Sequence, residues 1–369
     1  MKRKLFSLLL ILSLLLCLAG CGEKDYPPVP STAEESRVLY TLSYEDKTYD
    51  VKYELYRAFF LNYKSEVDGG DASVWTSENK SAYITRINGM ILDSVAEIYG
   101  TLHHARKLGI NPYSVSFDKQ VQEYIRGSVE GYDDGEVSAE GFGGDYDKYL
   151  QSLKESGLNY SVQDLLYRYA IATDKINEYY IGTVDKNNPT PEMKDGKLEY
   201  TDADVRAYYD SDQAVRCLLA MLDARSFTAE RAQEIRDNIA SYVNEAGVIS
   251  YIMNFTTTTE RDGAVGILIG KSSLDDAYFA ELTEEAFRIN IGETSKVVAI
   301  NDGDGSHYYI LYRTNKTDEY FNENLAYITE SYLSSRVREL VGADEDALRL
   351  SASPTSEYTK LDHSLIAMP

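Results

Sequence analysis

Hydrophobic positions along the chain follow two periods, and the change between them divides it. "RVLYTLSYEDKTYDVKYELY" alternates Val38, Tyr40, Leu42 and Tyr44, turns at "EDK" and resumes with Tyr49 and Val51, which predicts a short hairpin. The period then lengthens. Leu55, Phe59, Phe60 and Tyr63 fall at helical spacing over residues 54–67, and Ile84, Ile87, Ile91, Val95, Ile98, Leu102 and Ala105 form one long stripe that ends at Gly109. "SFDKQVQEYIRGSV" and "DYDKYLQSLKESG" predict two more helices. Between them "EGYDDGEVSAEGFGGD" reads as an acidic surface loop without the carboxylate spacing of an EF-hand. Ser161 with Asp164 is the expected cap of a fifth helix, whose face carries Leu165, Leu166, Tyr169, Ile176 and Tyr180.

Past the polar linker "DKNNPTPEMKDGKLEY" strands return. Thr201 is positioned to cap a short helix, "AVRCLLAMLDA" reads as a buried strand, and one helix is expected over residues 229–246. "DGAVGILIG" carries strand and turn signals and "DDAYFAELTEEAFRI" is helical. "SKVVAIND" and "SHYYILYR" are strands joined through "DGDG", giving a β-α-α-β-β unit. Phe321, Leu325, Ile328, Tyr332, Val337 and Leu340 then form a last stripe, for which the N-terminal helices are the expected partner. The fold class is therefore α+β.

The N-terminus adds a compartment. "MKRKLFSLLLILSLLLCLAGC" starts with Lys2, Arg3 and Lys4, runs apolar from Leu5 to Leu18 and reaches small residues before Cys21, the plan of a secretory signal. The apolar run is shorter than the roughly 20 residues of a membrane span. "LAGC" resembles the bacterial lipobox, which implies lipid on Cys21. The polar, proline-rich stretch that follows reads as a tether. The formal charge is -23, becoming about -26 without the signal, and this makes nucleic acid an unsuitable partner. Once Cys17 leaves and Cys21 carries lipid, Cys217 is the remaining thiol, so no internal disulfide can form. No Ser-His-Asp set, P-loop or zinc motif is present, and neither a cofactor nor a metal is expected. His103 and His104 point about 100° apart on their helix and read as a solvated pair.

Several stretches resemble the extracytoplasmic foldases of the PrsA and SurA type, whose inserted domain is a parvulin peptidyl-prolyl isomerase. "YYDSDQAVRCLLAMLDARSF" is similar to the parvulin opening, "DGAVGIL" to its glycine turn, and "LTEEAFRINIGETSKVVAINDGDGSHYYILYR" to its closing segment, with Ala286, Phe287, Gly292, Glu293, Ser295, Val297 and His307 in order. The resemblance implies a SurA/trigger-factor-like helical chaperone domain with an inserted parvulin-like domain. The corresponding boundaries are a signal peptide over 1–20, a tether over 21–36, a hairpin and helical domain over 37–200, a parvulin-like domain over 201–315, a returning helix over 316–342 packed on the N-terminal domain, and a tail over 343–369.

In that family two histidines on the first and last strands face each other beneath the groove, and a cysteine or aspartate borders the twisting amide. His307 takes the last-strand place, Cys217 stands where the first-strand histidine would be, and Thr256 falls near the third position. Val265, Tyr278, Leu282 and Phe287 map around the proline slot. The barrier to rotating an X-Pro bond is about 18–20 kcal/mol, so the chemistry is preferential binding of a twisted amide and needs no nucleophile. With two of three polar positions changed, the resemblance implies weak or lost isomerase activity. What it implies overall is a lipid-anchored foldase on the extracytoplasmic face of the cell membrane, binding unfolded or proline-containing exported polypeptides. The tyrosines, 32 in number, suit promiscuous contact with such chains. The alternative is a solute-binding lipoprotein of a transporter, which shares the lipobox and tether but would be built from repeated βα units in two parallel sheets. The oligomeric state is left open.

Overall fold

The computed structural model describes residues 26–69, 71–76, 78–133, 138–139, 141–184, 193–255, 266–272, 279–301 and 306–366. The chain divides into two units. One is continuous, Asn177–Arg338; the other is assembled from Lys2–Ile176 and Glu339–Pro369. Every strand ladder among the described residues is antiparallel, which is not the pair of parallel sheets that a solute-binding lipoprotein would need. No helix among them is long and apolar enough to cross a membrane.

The discontinuous unit begins with the expected hairpin, β1 (Val38–Tyr44) and β2 (Lys47–Lys52). Helix α1 (Tyr53–Asp68) follows directly and buries Leu55, Phe59, Phe60 and Tyr63. It packs on α2 (Lys80–Lys107), whose stripe from Ile87 to Ala105 is buried while Ile84 at the entry is half-exposed. Then come α3 (Val115–Glu130), α4 (Tyr146–Glu155) and α5 (Tyr160–Ile181). The cap of α5 is not Ser161 with Asp164: Asn159 Oδ1 accepts the Val162 N–H at 3.0 Å, and Asp164 inside the helix pairs with Arg168 at 2.7 Å. The two histidines of α2 are not solvated either. His103 is buried with Nδ1 3.0 Å from the Tyr49 hydroxyl, and His104 Nδ1 lies 2.7 Å from Asp344 Oδ2.

Two further corrections concern the ends of this unit. The tether expected over 21–36 is already docked at Tyr26, which is 2 % exposed and donates from its hydroxyl to Glu130 of α3 at 2.6 Å. The tail expected over 343–369 is structured. Strand β7 (Ser353–Pro354) pairs with β1, and the Thr355 hydroxyl donates to the Val38 carbonyl at 2.6 Å.

In the continuous unit α6 (Asp202–Asp210) opens with a capping box between Thr201 and Asp204. Four strands then form a sheet in the order β4-β3-β6-β5: β3 (Ala214–Asp223), β4 (Ile267–Gly270), β5 (Val298–Asn301) and β6 (Ser306–Thr314). The single helix expected over 229–246 is two, α7 (Ala229–Ser241) and α8 (Glu245–Ile252), because Asn244 caps a new start by accepting the Gly247 N–H at 2.8 Å. Even positions of β3 (Leu218, Ala220, Leu222) pack with Ile235, Ile239 and Val248 of these two helices. Odd positions pack with Leu282 and Ala286 of α9 (Ala280–Arg288) on the opposite face.

The last stripe does not behave as one helix on the N-terminal helices. It is split into α10 (Asp318–Glu323) and α11 (Leu325–Ser351). Tyr320, Phe321, Ile328 and Tyr332 cluster with Val205, Tyr208, Tyr209 and Leu268, all within Asn177–Arg338. The helix then continues past Leu340. Its residues 339–351 belong with α2, where Lys107 Nζ lies 2.8 Å from Asp344 Oδ1 and Arg349 Nε 2.7 Å from Asp93 Oδ1.

Candidate functional site

Strand register places the expected site residues. On β6, His307 pairs with Asp223 of β3 and Ile300 of β5, whereas Cys217 of β3 pairs with Arg313. Alternation puts His307 and Cys217 on one face of the sheet, the α9 face, as expected. They stand at opposite ends of the ladder, however. Six positions at about 3.4 Å per residue separate them by roughly 20 Å, so the structure overturns the expected facing pair.

Each occupies a different setting. The His307 ring meets Tyr309 edge-on at 6.2 Å. Its strand partner Asp223 is held down to about pKa 2 by the hydrogen-bonded Arg225 guanidinium. Cys217 is fully buried among Leu282, Ala286 and Leu311, and burial pushes its thiol up to about 12. A thiol so protonated is a small apolar filler and no nucleophile. Cys217→His is therefore expected to destabilise the chain by about 1–3 kcal/mol through overpacking. Chemical denaturation and a proline-limited refolding assay check this; a gain in isomerase rate with unchanged stability would contradict it.

Leu282 is likewise core, 4 % exposed, while Phe287 is half-buried with Lys271 Nζ 5.7 Å from its ring centre. Five positions on α9 turn these two side chains about 140° apart, so they do not line one slot. Thr256, Val265, Tyr278 and Cys21 lie outside the described residues. Among the described residues no group of three or more His, Cys, Asp or Glu side chains could hold a metal ion.

A groove that the sequence reading did not identify lies on the α8 side, with a cavity of about 800 Å³. Arg216 anchors it. The residue is an even position of β3, is 6 % exposed and would be costly to bury alone. Its Nη2 pairs with Glu245 of α8 at 2.7 Å, Nη1 donates to the Asn315 carbonyl at 3.0 Å, and the guanidinium stacks 4.5 Å from the Tyr320 ring centre. Glu245 also accepts the Thr314 hydroxyl. Gly266 has φ +133°, and a Cβ there would sit 2.9 Å from Arg216 Nε, so the guanidinium leaves room for glycine alone.

Tyrosines form the opposite wall. Tyr320 Oη donates to the Gly266 carbonyl at 3.2 Å and Tyr327 Oη to the Leu268 carbonyl at 3.0 Å, which satisfies and covers the edge strand β4. Tyr327 keeps 45 % of its surface exposed, Ala246, Ile249 and Ile267 add apolar lining, and Glu319 and Glu323 stand on the rim. With Arg216 neutralised by Glu245, the remaining charge is acidic. The groove can hold an apolar or cationic side chain against tyrosine faces, and it carries no group poised for covalent chemistry. The lone arginine inside "AVRCLLAML" was its signal in the sequence, because a buried cation demands an anionic partner.

No protein-family model and no curated protein matches the chain. Among solved structures, it matches foldase protein PrsA from Streptococcus pneumoniae at 13 % identity and a TM-score of 0.26, covering 70 % of this chain and 84 % of that one. PrsA from Bacillus subtilis matches at 16 % identity and a TM-score of 0.24, covering 75 % and 85 %. The peptidylprolyl isomerase PrsA from Bacillus anthracis matches at 14 % and 0.24, covering 69 % and 96 %.

Proposed function

We propose that the chain is a membrane-anchored extracytoplasmic foldase and chaperone that binds newly exported, unfolded polypeptides, with weak or lost peptidyl-prolyl cis-trans isomerase activity. The observation that carries the reading is the insertion itself: a small four-stranded unit bearing the parvulin-like motifs interrupts a helical unit that the chain later rejoins. The separation of His307 from Cys217 supports the weak side of the isomerase reading, since the buried thiol stands six ladder positions from the imidazole. The groove beside Arg216 supplies a peptide-binding surface that needs no isomerase chemistry.

Suppression of aggregation of a reduced or denatured model protein tests the chaperone part. The full chain is expected to suppress it, and Glu319→Lys with Glu323→Lys is expected to weaken binding of lysine-rich unfolded peptides about tenfold, or about 1.4 kcal/mol. Both glutamates are exposed, so the fold should be unaffected. A wild-type chain that neither suppresses aggregation nor binds any unfolded polypeptide would refute the reading.

A further inference from the structure

The docking of Tyr26 fixes how far the body can stand from its anchor. Tyr26 is not passing over the surface: it is 2 % exposed, its N–H donates to Gln122 Oε1 at 3.2 Å and its hydroxyl to Glu130 at 2.6 Å. Its ring packs 5.1 Å from that of Tyr146, whose own hydroxyl donates to the Pro27 carbonyl at 2.7 Å. Helices α3 and α4 thus clamp the chain from both sides, five residues after Cys21.

We propose that this clamp is a membrane-positioning device, which holds the face of the helical unit formed by α3, α4 and Tyr26 against the lipid headgroups. The proposal rests on the lipid-anchor reading of Cys21. Chain geometry sets the scale: five residue steps reach at most about 18 Å at roughly 3.6 Å each. A free proline-rich tether running to Arg37 would span about 50 Å at roughly 3.1 Å per residue. The difference decides the environment. At about 18 Å or less the acidic body stays within roughly two Debye lengths of the bilayer surface, while at 50 Å it would be electrostatically independent of it. Client chains would then meet the protein next to the membrane they have just crossed.

The test uses the full chain with its own lipid. Cys217 is fully buried, so in a Lys148→Cys variant acylated at Cys21 the accessible thiol is on α4, beside Tyr146. A dye placed there and acceptor-labelled lipids in phosphatidylglycerol–phosphatidylethanolamine vesicles report proximity by energy transfer. Transfer is expected to be strong in the otherwise wild-type chain, and to fall several-fold in Tyr26→Ala and in a second variant with twelve Gly/Ser residues inserted after Glu23. The insertion leaves the clamp intact and guards against misfolding of the first variant. Equal transfer in the parent and the insertion variant overturns the short leash. Incorporation of labelled fatty acid, lost in Cys21→Ala, checks the anchor separately; a chain that incorporates none overturns the anchor, and the leash with it.

Discussion

Gly100→Leu is expected to unfold the helical unit under conditions in which Asn177–Arg338 stays folded. Gly100 is on the face of α2 that receives residues 339–351 of α11. A Cβ there would lie 2.7 Å from the Glu345 Cα and 2.9 Å from its backbone nitrogen. The obstacle is backbone, which cannot rotate away as a side-chain tip could. Overpacking typically costs about 1–3 kcal/mol, and a backbone clash with Asp344 and Glu345 buried on the same turn belongs at or above the top of that range. Trp75, the chain's single tryptophan, lies in the same unit and reports its unfolding by fluorescence. Hydrogen exchange over Asn177–Arg338 provides the control. A Trp75 midpoint within a degree of the wild type would show that α11 can slide aside, and that the close approach is dispensable.

What could be read from the sequence follows from which interactions are local. The hairpin, α1, the α2 stripe and the α6 capping box depend on residues a few positions apart, and periodicity exposes them directly. Where α11 packs is not local. Its apolar stripe says that a partner exists but not which one, and the answer changes along its length, from Tyr208 and Leu268 beside Ile328 to Gly100 beside Glu345. The histidines misled for a related reason: His103 and His104 look polar until Tyr49 and Asp344 are brought to them over long stretches of chain. Tyrosine content misled in the other direction. Tyr26, Tyr56, Tyr63, Tyr167 and Tyr209 are among the largest fully buried side chains, so much of that residue's supply builds core; Tyr327 in the groove remains available for contact. Strand register was legible only in part. The parvulin resemblance implies one face for Cys217 and His307, and the register agrees, but their offset along the ladder is set by β3 pairing with β6 across some ninety intervening residues.

Glu245→Ala is expected to be the most damaging single change in the groove, by about 3 kcal/mol, although Glu245 itself is a third exposed. The cost arises at Arg216. The guanidinium is buried on β3, and removing its carboxylate leaves a cation in a site where water cannot fully replace the lost partner. The Thr314 hydroxyl loses its acceptor in the same step. Replacing both members of the pair, as Arg216→Leu with Glu245→Ala, removes the uncompensated charge and should recover part of the loss. Urea denaturation of the two single variants and the double variant measures the coupling. A double variant less stable than Glu245→Ala would show that Arg216 stabilises the sheet through the Asn315 carbonyl and the Tyr320 ring rather than through Glu245. The same set separates scaffold from function. In the single variant Arg216 adds an unneutralised positive charge to the groove, so binding of lysine-rich unfolded peptides should fall. In the double variant Glu319 and Glu323 again dominate the rim and binding should return. If binding instead tracks stability alone across the three proteins, the groove is structural and client recognition lies elsewhere on the chain.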